Sequence, residues 1–205
     1  PLFAKPAPPL ARILLVIVMS RDEEIMIAPP PPPPWLPNTS VFAALPPIRN
    51  GRWVNVGRLD INTTGLLLFT NDGKLANRLM HPSGEIEREY AVRIFGEVPQ
   101  ETLKKLIEGV ELEDGRAAFD SIHDAGGQGR NHWYHVVLRE GRNREVKRLW
   151  ESQGISVSRL IRVRFGPYLL PRMLRPGAYH EFDKSEVHDF LNAVENNSER
   201  LKVKS

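Results

Sequence analysis

The chain of 205 residues contains no cysteine. Disulfides and thiolate–metal sites are thereby excluded, and the composition fits a reducing compartment, with a cytoplasmic location expected. Long hydrophobic runs are also missing. The longest, ILLVIVM over residues 13–19, is too short to span a bilayer. Lys5 and Arg12 precede it as they would in a signal peptide, but Ser20-Arg21-Asp22-Glu23-Glu24 follows without a small-x-small cleavage site. A buried strand is the expectation there, and no membrane partner. Nucleotide-binding patterns are absent as well. Gly126–Gly129 does not follow a strand and open a helix, and no Walker-type lysine or Gly-x-Ser-x-Gly elbow exists. His132 and His135 would point to opposite faces of a strand, and no carboxylate–histidine cluster surrounds them. Neither a metal nor a cofactor is expected.

A large net charge is lacking too, at +3 overall. The charge is uneven, however. Residues 130–175 hold ten Arg and one Lys against three Glu, a window of +8 in a remainder of −5. Two readings stand: a polyanion partner, nucleic acid foremost, or a solvated basic face.

What is present reads as one large domain or two small ones. Residues 1–10 are proline-rich and read as a linker remnant, residues 11–195 as the folded domain, and residues 196–205 as a tail. Six consecutive prolines, Pro29 to Pro34, form a polyproline II spacer or interaction segment. Strands are expected at 53–56 and 65–70, with Asp72 capping a helix over 74–80. A strand over 87–98 alternates Tyr90, Val92 and Ile94 on one face. Pro99 opens a helix with Leu103, Leu106 and Ile107 at helical spacing, closed by Gly109. Strands at 110–112, 117–123 and 133–138 follow. A helix is expected within 141–154, with Val146, Leu149 and Trp150 on its buried face. Strand 158–165 alternates Leu160, Ile161 and Val163 with Arg159, Arg162 and Arg164, and a helix over 186–194 ends the fold. Strands outnumber helices, so the class is α+β.

One carboxylate stands out. Asp60 lies between Leu59 and Ile61, just ahead of the apolar GLLLFT strand. Asp is a poor strand former and is rarely buried without a partner. An Asx-type turn with Arg58 as a surface ion pair explains it locally. A chemical role also explains it, with a cation from the 142–148 cluster, Lys147 above all, keeping the acid ionised. Tyr90 has two readings likewise: a core tyrosine, or a ring that stacks a splayed-out base.

The stretch GRLDINTTGLLLFTNDGKLANRLMHP resembles the aspartate signature of the RsuA/RluB family of pseudouridine synthases. The likeness continues through EREYAVRIFGEV, LEDGRAAFD, EGRNREVKRLW and LIRVRFGPYLLP, in the family's order, over roughly residues 41–182. The EREYAVR and GRNREVKRLW versions are similar to the branch that modifies large-subunit rRNA. The resemblance implies a mixed, mostly antiparallel central sheet with flanking helices and a cleft across it. It implies isomerisation of a uridine in a structured stem-loop of 23S rRNA, without metal or cofactor. A monomer is the default expectation, since the sequence does not specify an oligomeric state. Asp60 falls on the catalytic aspartate, Tyr90 on the base-stacking tyrosine and Lys147 on the basic partner of the aspartate. Arg58, Arg142, Asn143, Arg144, Arg148, Arg162 and Arg164 are the expected RNA contacts. Whether the aspartate adds to the sugar or removes a ribose proton stays open. A non-catalytic rRNA-binding or ribosome-assembly module with the same fold is the alternative, and a base-releasing glycosylase a third reading. The family's N-terminal S4-like module has no counterpart here, so a catalytic-domain fragment is expected. Residues 19–40 depart from the family's Lys-Pro-x-Gly turn and polar loop.

Overall fold

The computed structural model describes residues 13–18, 41–48, 51–60, 62–175 and 177–202. The proline-rich lead-in, the oligoproline segment and the last residues of the expected tail lie outside them. Eleven strands are described: β1 (Ile13–Val18), β2 (Val54–Val56), β3 (Thr64–Thr70), β4 (Arg88–Phe95), β5 (Val110–Leu112), β6 (Gly115–Ala117), β7 (Ser121–Gln128), β8 (Asn131–Leu138), β9 (Val157–Phe165), β10 (Tyr168–Leu169) and β11 (Tyr179–Glu181). The helices among the described residues are α1 (Gly73–Met80), α2 (Gln100–Glu108), α3 (Glu145–Glu151) and α4 (Lys184–Lys202). The main sheet runs β11-β1-β3-β9-β4-β8-β7, with β2 on β3 and β10 on β9. Among the described residues every pairing is antiparallel except β3 with β9. The class is α+β with a mostly antiparallel central sheet, as expected.

Local chemistry explains most boundaries. Asp72 caps α1, its carboxylate accepting from the Lys74 and Leu75 amides at 2.8 and 3.2 Å. Leu75, Ala76 and Leu79 turn that helix onto Leu66 and Leu68 of β3 and onto Phe182 and Phe190. On the other half of the sheet, Val92 and Ile94 of β4 and Leu160 of β9 pack against Leu103 and Leu106 of α2 and Val146, Leu149 and Trp150 of α3. Tyr90 lies against the same cluster.

Two expectations are corrected. Ile107 is 44% exposed and lies off the buried face of α2. The strand expected at 117–123 is broken at Ala118–Asp120, because Phe119 turns into the core beside Trp150 at 5.9 Å. The third helix falls inside the expected 141–154 and starts at Glu145, since Arg144 takes a left-handed φ of 51°. The preceding loop is held by Arg88, whose Nη1 donates to the carbonyls of Ile86, Arg139 and Glu140 at 3.1, 2.6 and 3.2 Å.

The two halves of the sheet meet where β3 and β9 run parallel for two residue pairs, Thr64 with Ile161 and Gly65 with Arg162. A Cβ on Gly65 would sit 2.3 Å from the Arg162 carbonyl oxygen. This close approach fixes how the loop ahead of β3 faces the strands that carry Tyr90.

Candidate active site

Asp60 stands in the loop between β2 and β3 and is half-buried. The Asn55 side chain donates to the Gly57 carbonyl at 2.6 Å, and the Thr63 amide closes a turn onto the Asp60 carbonyl at 2.9 Å. Thr63 is buried behind it, and the Thr64 hydroxyl reaches the Leu160 carbonyl of β9 at 3.5 Å. The turn is therefore made by Asp60's backbone. Its carboxylate has no hydrogen-bond partner among the described residues.

Lys147 projects from α3 toward this loop, and its ammonium donates to the Asn62 carbonyl at 3.4 Å. Burial pulls its pKa down, and the neighbouring Arg144 charge adds to that, against the raising pull of Asp60 and Glu151. Asp60 and Lys147 thus sense each other's charge. They do not close an ion pair among the described residues; the cation is anchored on the main chain two residues past the acid.

Tyr90, half-buried in β4, is the cross-strand partner of Arg162, which in turn partners Gly65. Opposed residues of paired strands project from one face. Tyr90 and Arg162 therefore share a face, in the row that ends at Gly65 of β3; the Asp60 loop leads into that strand, and Lys147 reaches the loop from α3. The separate cavity of about 300 Å³ lined by Arg116, Leu138 and Arg139 contains none of Asp60, Lys147 and Tyr90.

The expected RNA contacts divide. Arg58, Asn143 and Arg144 are exposed. Arg144 also meets Glu151 at 3.1 Å, an exposed pair of little energetic weight. Arg142 is taken up inside the protein, by the Glu140 carboxylate at 2.6 Å and the Arg116 carbonyl at 2.9 Å. Arg148 forms a two-pronged pair with Asp114, both arms at 2.8 Å. Arg164 bonds Glu89 and Glu87 at 2.8 and 3.1 Å. Arg162 is buried at 2% exposure, its Nε donating to the Leu66 carbonyl at 2.6 Å. Arg162, expected among the RNA contacts, is instead buried in the strand pair. A bulge between Glu89 and Tyr90 shifts the register, so Arg164 falls opposite Glu89 and Arg162 opposite Tyr90. Much of the basic window is thus balanced by carboxylates from elsewhere in the chain.

Two further residues were not singled out from the sequence. Arg88, half-buried, braces the loop before α3, and desolvation lowers its pKa, with Tyr90, Arg162 and Glu145 as its charged or polar neighbours. Its spacing of two from Tyr90 was the available signal. Glu145, at 4% exposure, accepts the Arg142 amide at 3.1 Å, and burial pushes its carboxyl upward.

Glu89 carries a pH-dependent part of the scaffold. Its carboxylate meets Arg164 at 2.8 Å and His135 at 2.7 Å. Burial pushes its pKa up, but the hydrogen bonds and charges of Arg164 and His135 outweigh that and hold it below the usual range. A carboxyl lowered by folding adds stability that is complete above its unfolded-state pKa and lost as pH falls through the folded-state value. Glu89→Gln is expected to lose about 1 kcal/mol at neutral pH and to flatten the acid side of the stability curve. Thermal unfolding from neutral pH down through the carboxylate range checks this; parallel curves for the two proteins contradict it.

Residues 36–152 match the RNA pseudouridylate synthase family. Among curated proteins, the chain is 64% identical over 149 residues to "Ribosomal large subunit pseudouridine synthase B" of Pseudomonas aeruginosa, covering 72% of this chain and 39% of that protein. It is 58% identical over 156 residues to the protein of that name from Escherichia coli K12, covering 76% and 54%. It is 56% identical over 164 residues to that from Vibrio cholerae, covering 80% and 51%. The chain spans about half the length of these relatives or less. Its fold is similar to a crystal structure of a pseudouridylate synthase, with a TM-score of 0.69 at 22% identity, over 88% of this chain and 74% of that one.

Proposed function

Because this chain belongs to the RNA pseudouridylate synthase family, we propose that it isomerises a specific uridine of 23S rRNA to pseudouridine, acting as a monomer in the cytoplasm. The observation that carries the reading is the placement of Asp60, whose unpartnered carboxylate stands beside a main-chain-anchored lysine. The names borne by the relatives supply the substrate class.

The chemistry assigns a task to each group. The target uridine is flipped from its stack in an rRNA stem-loop and laid against Tyr90. Asp60 then either adds to C1′ as N1 leaves, or removes the 2′ proton as N1 leaves to give a glycal. The base rotates and C5 bonds to C1′ while the Asp60 ester is released, or while the proton is returned to C2′. C5 then loses its hydrogen as a proton and N1 takes one up. Both routes need Asp60 ionised, and Lys147 is the cation that stands beside its loop. Arg58 on the Asp60 loop and Asn143 and Arg144 ahead of α3, all exposed, hold the RNA backbone. No cofactor takes part in this scheme.

Product analysis tests the reading. Protein-free 23S rRNA treated with the chain and digested to nucleosides is expected to contain new pseudouridine and no free uracil. Free uracil would make the protein a glycosylase, and bound but unaltered rRNA would make it an assembly module.

A further inference from the structure

The floor of the site holds a cation that no carboxylate matches. Arg162 is 2% exposed and stands in β9 between Gly65 of β3 and Tyr90 of β4, the three in one cross-strand row. Its side chain and the Tyr90 ring therefore rise on one face, about 4.8 Å apart at the backbone. Its Nε donates to the Leu66 carbonyl at 2.6 Å, just beyond the last registered pair of β3 and β9. Its Nη2 is buried with no hydrogen-bond partner. Among the described residues no carboxylate lies within ion-pair distance of it. The hydroxyl of Thr63, three residues after Asp60, is also buried without a partner at the same junction. The guanidinium carbon lies 5.6 Å from the centroid of the Phe165 ring, which offsets part of the cost of burying the charge; the orphaned Nη2 donor still calls for an explanation.

The reaction itself supplies an anion at this place. When the N1–C1′ bond breaks, its electron pair goes to N1, and uracil detaches with negative charge shared over N1, O2 and O4. The charge disappears when C5 bonds to C1′; the later loss of the C5 proton is matched by a proton taken up at N1. A fixed cation in a water-poor floor stabilises charge that is greatest between the breaking of the N1–C1′ bond and the forming of the C5–C1′ bond. We propose that Arg162 is a positioning residue whose buried guanidinium stabilises and seats the detached uracil anion beneath Tyr90, acting through its field without touching the base. The inference rests on the synthase reading above.

Leaving-group dependence tests it. The full chain is given 23S rRNA transcribed with uridine or with 5-fluorouridine, and consumption of the target nucleoside is followed in a single turnover. Fluorine withdraws electrons, so 5-fluorouracil carries its charge with less help. Arg162→Gln keeps an N–H for the Leu66 carbonyl but removes the charge. It is expected to slow the uridine reaction about 100-fold and the 5-fluorouridine reaction no more than about 10-fold. Arg162→Lys, which keeps the charge, is expected to stay within about 10-fold of wild type on both. Equal losses on the two substrates, or an unaffected Gln variant, would overturn the proposal. Failure of both variants to fold would assign Arg162 to the scaffold and overturn it too. A wild-type chain inert toward both RNAs would overturn the synthase reading and this inference with it.

Discussion

Asp60→Asn is expected to lower pseudouridine formation by on the order of 10⁴-fold or more while leaving rRNA affinity within a few fold. The two parts have separate causes. The amide cannot add to C1′ or take a ribose proton, so the reaction loses its only assigned nucleophile or base. The side chain is half-buried and its carboxylate holds no other group of the described fold, so the replacement leaves the scaffold intact. The turn at this loop is closed by the backbone, from the Thr63 amide to the Asp60 carbonyl at 2.9 Å, and Asn preserves it. Removing a negative charge that faces a phosphate-rich partner does not weaken binding. Nucleoside analysis and filter binding read the two parts. An active variant would take the chemistry away from Asp60. Parallel loss of activity and affinity would make the residue part of the RNA-binding scaffold.

Gly65→Ala is expected to destabilise the fold by at least about 3 kcal/mol, enough to leave much of the chain unfolded or insoluble. The added Cβ would meet the Arg162 carbonyl oxygen at 2.3 Å and its amide nitrogen at 2.7 Å. Both are main-chain atoms in the sheet interior and cannot swing aside as a long side chain would. The residue also holds φ at 102°, a region that L side chains rarely adopt. The clash falls at the sole parallel junction among the described strands, where β3 and β9 share only two registered pairs. Forcing them apart separates the Asp60 loop from the Tyr90 strand. Gly129→Ala is the control. That residue also has a positive φ, 62°, but nothing lies within 4 Å of a Cβ there, and a loss of about 1–2 kcal/mol is expected. Denaturant unfolding of the two variants beside wild type decides the matter; a Gly65→Ala protein as stable as the control would contradict the close-packing account.

Sequence-local signals carried most of the fold. Asp72 and Gly109 marked helix ends that lie where the caps are found. The alternation of Tyr90, Val92 and Ile94 gave the buried face of β4, and the spacing of Val146, Leu149 and Trp150 that of α3. What depended on distant partners was not legible. The bulge that turns Arg162 inward lies in the pairing of β4 with β9, and neither strand alone encodes it. Asp114, 34 residues before Arg148, removes that arginine from the free basic surface. Arg88 reaches 51 residues along the chain to brace the loop before α3. At the site, the isolation of Asp60 ahead of an apolar strand was readable as an anomaly. Its neighbourhood with Lys147 comes from the meeting of a β2–β3 loop with a helix 85 residues later, through the Asn62 carbonyl.

The measurement that bears most directly on the central claim is tritium release from protein-free 23S rRNA labelled at C5 of uridine, with wild type beside Asp60→Asn. C5 must lose its hydrogen when it bonds to C1′, so the label reports the isomerisation itself. Release by wild type and none by Asp60→Asn is the predicted result. Release by both proteins, or by neither, would contradict a synthase that works through Asp60.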